Sequence, residues 1–426
     1  MAAAYLNKLK ESFQVRYADN PLKTLFYTII LASVIIVMLI GGLITFGKCI
    51  EQMFLGASID LGGDFFNPLR EDMSMSADIY PPFTYFLYLF LGKLIPFEGG
   101  EALRETVPGL TVYIVYMLIV YILLYKAMKK MKIGTEREKN FFFILMLLTL
   151  PSIFLIERSN ILALVLVFVL LFFNGYNSEN KKVRYIAYLC LAVATGLKLY
   201  PAVFGLLLLR TKNAKEIGIC VLMCLIVFFV PFLFVDGTVS QFFDNIFSYT
   251  SSMSIAPHGD HIDMDNLFAC LYAISGSTLS QFASLVMGAL LVLAGISVVL
   301  SARADKWKLA ALTILATLLF TGFKPVYAIM FMVIPLMMFI DSRPAMNKLN
   351  FAYMVCFVLM FMPMFEIFFD LEGSIVPIST LIEAIALLVM FILLLCETLP
   401  DAVRNTVVQI RARQAREATL SRQEKA

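Results

Sequence analysis

The sequence predicts an all-α polytopic membrane protein, and three observations carry that reading. Sixty per cent of its 426 residues are hydrophobic and 15% are charged, where soluble domains run near ~25% charged. The apolar residues gather in nearly charge-free runs: Leu25–Phe46, Val107–Tyr125, Ile217–Val235, Leu285–Leu300, Phe351–Phe369 and Leu381–Cys396. A bilayer core of ~30 Å needs about 20 such residues per helix. Finally, the runs lack the alternation of a barrel, which leaves helices as the structures that satisfy their backbone in lipid.

Leu25–Phe46 is too long for the apolar region of a signal peptide and lacks a small-residue cleavage site, so it reads as an uncleaved signal anchor. Lys and Arg cluster before it, at 126–139, 179–184, 210–216, 302–308 and 341–348, and after Leu399. The positive-inside rule places all of these in the cytoplasm, with both termini. Phe83–Pro96 is short for a span and becomes a juxtamembrane or re-entrant helix within a first external loop, 47–106. Asn266–Ile274 becomes a short interfacial piece within a second large external loop, 236–280. About twelve crossings result, several of them short. They form one transmembrane domain, 1–400, of a multi-pass plasma-membrane protein expected to be monomeric. The tail, 401–426, is basic and weakly amphipathic; it suits anionic lipid, or else a partner helix.

Composition excludes several classes. Most of the seven cysteines lie inside apolar runs, so no disulfide framework is implied. There is no Gly-rich phosphate loop, no dinucleotide fingerprint and no nucleic-acid motif. No cofactor is expected.

Acidic residues scarcely influence insertion, so their placement is independent information. They crowd the external segments: Asp60, Asp64, Glu71, Asp72 and Asp78 in the first loop, and Asp236, Asp244, Asp260, Asp263 and Asp265 in the second. Polar groups at membrane depth are costly, and they mark function. Besides Asp60 and Asp64, three sets stand out: the hinge Glu157-Arg158-Ser159-Asn160, the break Gly196-Leu197-Lys198-Leu199-Tyr200-Pro201, and the break Phe323-Lys324-Pro325-Val326-Tyr327. Arg158, Lys198 and Lys324 fall at external helix ends in this topology. Three cations converging there would hold a phosphate. The alternative is that each snorkels to the headgroups, or that Glu157 and Arg158 pair with each other. His258 and His261, beside Asp260, Asp263 and Asp265, suit a divalent metal, a solvated lid, or a contact to the donor phosphate or sugar. No metal site is assigned.

These motifs bring a family into view. Gly63-Asp64-Phe65-Phe66, then Tyr80-Pro81-Pro82, then Asn160 followed by Gly196–Pro201, in that order after one N-terminal helix, resemble the GT-C membrane glycosyltransferases. The group in question is family 87, the polyprenyl-phosphate-sugar-dependent mannosyl-, hexosyl- and arabinofuranosyltransferases. The likeness spans residues ~24 to 210, and hydropathy continues it. The family often has a Tyr pair after the Asp-Phe, where this chain has Asn67-Pro68.

The resemblance implies a GT-C-like fold and an extracytoplasmic reaction. A polyprenyl-phosphate sugar would place its phosphate against Lys198, Tyr200, Arg158 and Lys324. A glycolipid or glycan hydroxyl would attack the anomeric carbon, giving up its proton to Asp64 or, as second choice, Asp60. Asn160, Tyr80, His258 and His261 would contact substrate. A single displacement inverts the anomeric centre. The rival reading, a transporter or flippase of a lipid-linked sugar, uses the same broken helices and cations. It predicts related halves and mid-membrane charges, whereas the charges here fall on one side and no repeat is evident.

Overall fold

The computed structural model describes residues 20–51, 62–69, 80–95, 100–131, 135–211, 213–253, 256–276 and 280–423. It is mostly helical. The first helix, α1 (Pro21–Ile44), starts where Asn20 accepts a hydrogen bond from the Lys23 amide and Pro21 pre-sets the first turn. Its middle, Ile35–Gly41, widens to a π-helix. A short helix α2 (Gly63–Phe66) follows, then α3 (Pro82–Gly92) and α4 (Val107–Lys130), which Thr106 caps. The short helix expected over Phe83–Pro96 is present as α3, 11 residues long.

Next come α5 (Glu136–Leu147) and α6 (Leu150–Arg158), bent by 67°. A reciprocal capping box between Thr135 and Glu138 starts α5. Ser159, at φ 53°, ends α6. The chain continues through α7 (Leu162–Gly175), α8 (Lys181–Leu197), α9 (Ala214–Phe229), α10 (Val239–Met253), α11 (Met264–Ser275), α12 (Ser280–Leu300), α13 (Lys306–Phe320), α14 (Val333–Asp341) and α15 (Lys348–Phe361). A two-stranded antiparallel hairpin, β1 (Phe368–Leu371) and β2 (Ser374–Pro377), leads into α16 (Ile378–Gln423).

Among the described residues, four helices are long and apolar enough to cross a membrane, or five with the α5–α6 pair. The spans within α4 and α9 are only 17% buried, which leaves their apolar faces for lipid. Other apolar helices are 10–17 residues long. The apolar run Phe351–Phe369 is not one helix, contrary to the sequence reading. Met362 turns extended before Pro363, and the hairpin takes up the end of the run. A purely α description therefore needs this one amendment. α16 passes Pro400 without interruption, so the basic tail continues the last helix as far as Gln423.

Helix α7 packs along α8, and α8 along α9. Tyr88, Phe154, Tyr188, Phe204, Phe331 and Phe357 fill one continuous apolar core. Ion pairs tie the basic segments together: Lys23 to Glu138 at 2.8 Å, Arg184 to Glu216 at 2.7 Å and Lys308 to Glu397 at 3.0 Å. Tyr188 also donates to Glu216, at 2.8 Å. Basic segments begin α8 and α13, and charged breaks end both.

Two breaks matter for the site. Helix α8 stops at Leu197 and Lys198 is extended (φ −145°, ψ 131°) before a 3-10 turn from Tyr200. Helix α13 stops at Phe320; Gly322 and Phe323 take positive φ, and Pro325 restarts the chain at Val326. The 256–263 segment lies against this second break, with the Ile262 amide on the Lys324 carbonyl (2.9 Å) and the Val326 amide on the Asp260 carbonyl (2.7 Å). Its other side meets the hairpin: a Cβ on Gly259 would stand 2.3 Å from the Ile375 carbonyl oxygen. Since that atom is backbone, Gly259→Ala forces the segment to shift. A cost of about 1–3 kcal/mol is expected, read as a lowered melting temperature of the detergent-purified protein; an unchanged melt would show that the contact relaxes freely.

Candidate active site

Asp64 sits on the first turn of α2, which Gly62 opens in the left-handed region at φ 73°. The Gly62 amide donates to the Glu157 carbonyl at 2.8 Å, joining this loop to the end of α6. Phe65 and Phe66 are buried against Tyr88, Tyr113 and Tyr116, and anchor the turn. The Tyr88 hydroxyl donates to the Asp64 carbonyl at 3.0 Å. With its backbone fixed in this way, the Asp64 side chain is held in place too.

Three groups converge on the Asp64 carboxylate. Arg158 donates through Nη2 to Oδ1 at 2.6 Å. Asn160 donates through Nδ2 to Oδ2 at 2.7 Å, and the Tyr327 hydroxyl reaches Oδ2 at 3.3 Å. Asn160 and Tyr327 also touch, at 3.0 Å. The Asn160 Oδ1 accepts from the Leu162 amide at 2.9 Å, which fixes the carboxamide at the head of α7. Burial pushes the Asp64 carboxyl above its ordinary value; the Asn160 bond, the charge of Lys198 and the Tyr327 bond partly offset that. The Asp64 side chain keeps 12% exposure and Arg158 keeps 24%, so the pair opens toward solvent on one side.

The cations of the two breaks lie nearby, each over a tyrosine ring. Lys198 Nζ is 4.6 Å from the centre of Tyr80, and Lys324 Nζ is 4.6 Å from the centre of Tyr200. Among the described residues neither ammonium has a carboxylate within ion-pair distance. Lys324 is buried, and its Nζ donates to the Gly322 carbonyl; its amide donates to Asp263 Oδ2 at 2.8 Å.

The histidines lie against the second break. The rings of His258 and His261 are 4.8 Å apart, and His261 is buried against Phe323 at 4.3 Å. Burial holds His261 below the ordinary imidazole range, with Asp260 and Asp263 opposing. Asn266 braces this segment, accepting from the His258 amide (2.7 Å) and donating to the His258 carbonyl (2.9 Å) and the His261 carbonyl. Among the described residues no group of three or more His, Cys, Asp or Glu side chains could hold a metal ion.

The structure thus gathers Asp64, Arg158 and Asn160 directly, and sets Tyr80, Lys198, Tyr200, Lys324, His258 and His261 around the two breaks. Asp60 lies outside the described residues. The alternative pairing of Glu157 with Arg158 gives way to Arg158 with Asp64. Sequence reasoning quoted Tyr327 within its break but gave it no role, and it passed over Tyr88 and Asn266. The signal for Tyr327 was present: a Tyr and a Pro both follow each break lysine within three residues. Two cavities of about 430 and 450 Å³ lie elsewhere, at the basic ends; Lys23 and Lys139 line the first and Lys308 and Arg404 the second.

The chain is thus an apolar helical protein with spans long enough for a membrane and a carboxylate held near the cations of its helix breaks. A family model described as glycosyltransferase family 87 matches residues 79–323, more than half of the chain. The chain belongs to glycosyltransferase family 87, and so it moves a sugar from a donor to an acceptor. The match includes Tyr80, Arg158, Asn160, Lys198, Tyr200, His258 and His261; Asp64 precedes it and Lys324 follows its last residue. No curated protein matches the chain.

Asn160→Ala removes a donor to the carboxylate and a bond at the head of α7. A loss of about 1–3 kcal/mol is expected for this buried, charge-linked amide. Thermal melts beside Asn160→Asp test it: the aspartate variant, which sets two carboxylates together, should melt lower still.

Proposed function

We propose that this family 87 chain transfers a sugar from a polyprenyl phosphate to a glycolipid or glycan hydroxyl on the extracytoplasmic face, by inverting displacement with Asp64 as base. The observation that carries the reading is the Asp64 carboxylate held by Arg158, Asn160 and Tyr327 while Lys198 acts on it through its charge. A hydroxyl nucleophile needs a proton acceptor on its side of the anomeric carbon, and a departing phosphate needs fixed cations on the other. Asp64 supplies the first. Lys198 and Lys324, each over an aromatic ring, supply the second; Tyr80 and Tyr200 keep the ammonium groups oriented. Apolar helix faces beside the breaks give the polyprenyl tail a path in lipid.

Arg158 fits a different role from the phosphate contact that the sequence suggested. Its guanidinium already holds Asp64 Oδ1. It orients the base and favours its ionised form, and Oδ2 is the oxygen that faces Asn160 and Tyr327. His258 and His261 lie behind Lys324 and shape that side of the site. Expected partners are the lipid-linked donor, the acceptor and membrane lipid, with the chain acting as a monomer in a multi-pass plasma-membrane setting.

Four outcomes follow, measured with the purified protein and a panel of polyprenyl-phosphate sugars by release of lipid phosphate. Asp64→Asn lowers turnover by about 10²–10⁴-fold, the usual contribution of general base catalysis, in protein that still folds; wild-type turnover in this variant refutes the base. Lys198→Ala raises KM for the donor more than it lowers the melting temperature. The acid limb of the pH profile falls above the ordinary aspartate value of ~3.9, because burial disfavours the carboxylate. Activity is present where Asp64 is ionised and disappears as pH falls through its raised value. Arg158→Gln removes a cation that favours ionisation, so the limb moves to still higher pH; a limb that stays fixed rules out this role for Arg158.

A further inference from the structure

A carboxyl cluster that the transfer reaction leaves unused sits where the hairpin enters α16. Glu383 is completely buried, and neither of its carboxyl oxygens accepts a hydrogen bond. Glu366, on the segment before β1, lies close enough for its charge to act on Glu383. Its Oε1 is buried without a partner, and its Oε2 accepts from the Ser379 amide, at 3.5 Å. Ser379 precedes Glu383 by one helical turn, so the two side chains share a face of α16. The Ser379 hydroxyl is fully buried and lies beside the Glu366 carboxyl.

This arrangement is costly unless something neutralises it. A buried carboxylate without a partner is strongly disfavoured, and a second carboxylate beside it adds repulsion. Among the described residues no cation forms an ion pair with either glutamate. What the cluster offers is a set of oxygen donors: two carboxylates and a hydroxyl, with a combined charge that one divalent ion would balance. Oxygen donors of this kind suit hard cations. Glu366 is only partly buried, which leaves a route in from the surface.

We propose that Glu366, Ser379 and Glu383 form a binding site for a hard divalent cation, Ca²⁺ or Mg²⁺, that pins the start of α16 to the segment before the hairpin. The position gives the ion a consequence for the donor side of the active site. Thr380, between the proposed ligands, donates to the Gly259 carbonyl at 2.6 Å. Gly259 belongs to the segment that pairs with Lys324 and Val326. An ion here therefore steadies the wall behind Lys324 without touching substrate.

The test is binding, read independently of turnover. The full chain is purified in detergent, stripped with a chelator and titrated with CaCl₂ or MgCl₂ at matched ionic strength. We expect a saturable rise in melting temperature with one ion per chain by equilibrium dialysis, and the two salts distinguish the ion. Glu383→Gln and Glu366→Gln should lose both signals, while Asp64→Asn keeps them. Should Glu383→Gln fail to fold, Glu366→Gln and Ser379→Ala carry the test, each expected to weaken binding by about tenfold or more. An equal response in the wild type and these variants overturns the proposal. So does a wild type that ignores both ions while Glu383→Gln melts higher, since the pair then holds protons. None of these outcomes depends on Asp64 being the base.

Discussion

The ion pair between Asp64 and Arg158 is the contact on which the rest of the candidate site depends. It joins the first turn of α2 to the end of α6, 94 residues apart in the chain. Tyr327 brings in a third segment, 263 residues from Asp64. None of the three can hold the carboxylate alone. A short loop after a membrane helix has many conformations, and Phe65 and Phe66 restrict this one by burial. The Gly62 to Glu157 hydrogen bond then sets its height against α6. The pair is consequently a readout of folding: it forms only when α2, α6 and the chain after α13 are all in place.

The helix breaks extend the same logic. A continuous helix satisfies its backbone internally, which is why lipid favours it. Breaking one exposes amides and carbonyls that need other partners. Around Lys324 those partners are visible: its amide on Asp263, its carbonyl on Ile262, and the Val326 amide on Asp260. Around Lys198, the Leu197 carbonyl accepts from Thr84 at 2.6 Å, so α3 closes that break. Each break is thus sealed by an element of an external loop in the sequence topology. This is a physical reason for those loops to be folded rather than merely long. The conformational strain is local: Phe323 and Ser159 hold positive φ without being glycine, a cost that packing must offset.

Much of this was legible in the sequence, and the limits are instructive. The breaks were readable because Pro201 and Pro325 cannot continue a helix and because Lys198 and Lys324 are improbable in lipid. Asp64 was singled out by its position after the first apolar run and by its Phe pair, and the structure gives that Phe pair its purpose as an anchor. The Arg158 pairing was not legible. Adjacent Glu157 and Arg158 suggested a local pair, but neighbours on a helix point in different directions, and the left-handed Ser159 ends the helix beside Asp64 instead. The hairpin was missed because Phe368, Phe369 and Ile375 are as apolar as a span, and only the turn at Glu372-Gly373, both at positive φ, separates strand from helix. Glu366 and Glu383 were invisible as a cluster, since nothing in the sequence sets a loop glutamate beside one on the last helix.

Charge balance gives the arrangement its direction. Asp64 is matched by Arg158, so the pair contributes little net field beyond its immediate neighbourhood. Lys198 and Lys324 are not matched in this way. Lys324 has Asp263 near its backbone amide rather than its ammonium, and Lys198 has an aromatic face. The ring contacts help to hold the ammonium groups in a partly dry site, but a quadrupole does not neutralise a charge. The breaks therefore set two ammonium groups beside an internally balanced carboxylate, while the charges of Asp263 and Asp265 act on Lys324. An anionic group passing between the breaks would be stabilised more as its charge grows, which is the electrostatic condition for a phosphate that departs from a sugar while a hydroxyl approaches from the Asp64 side.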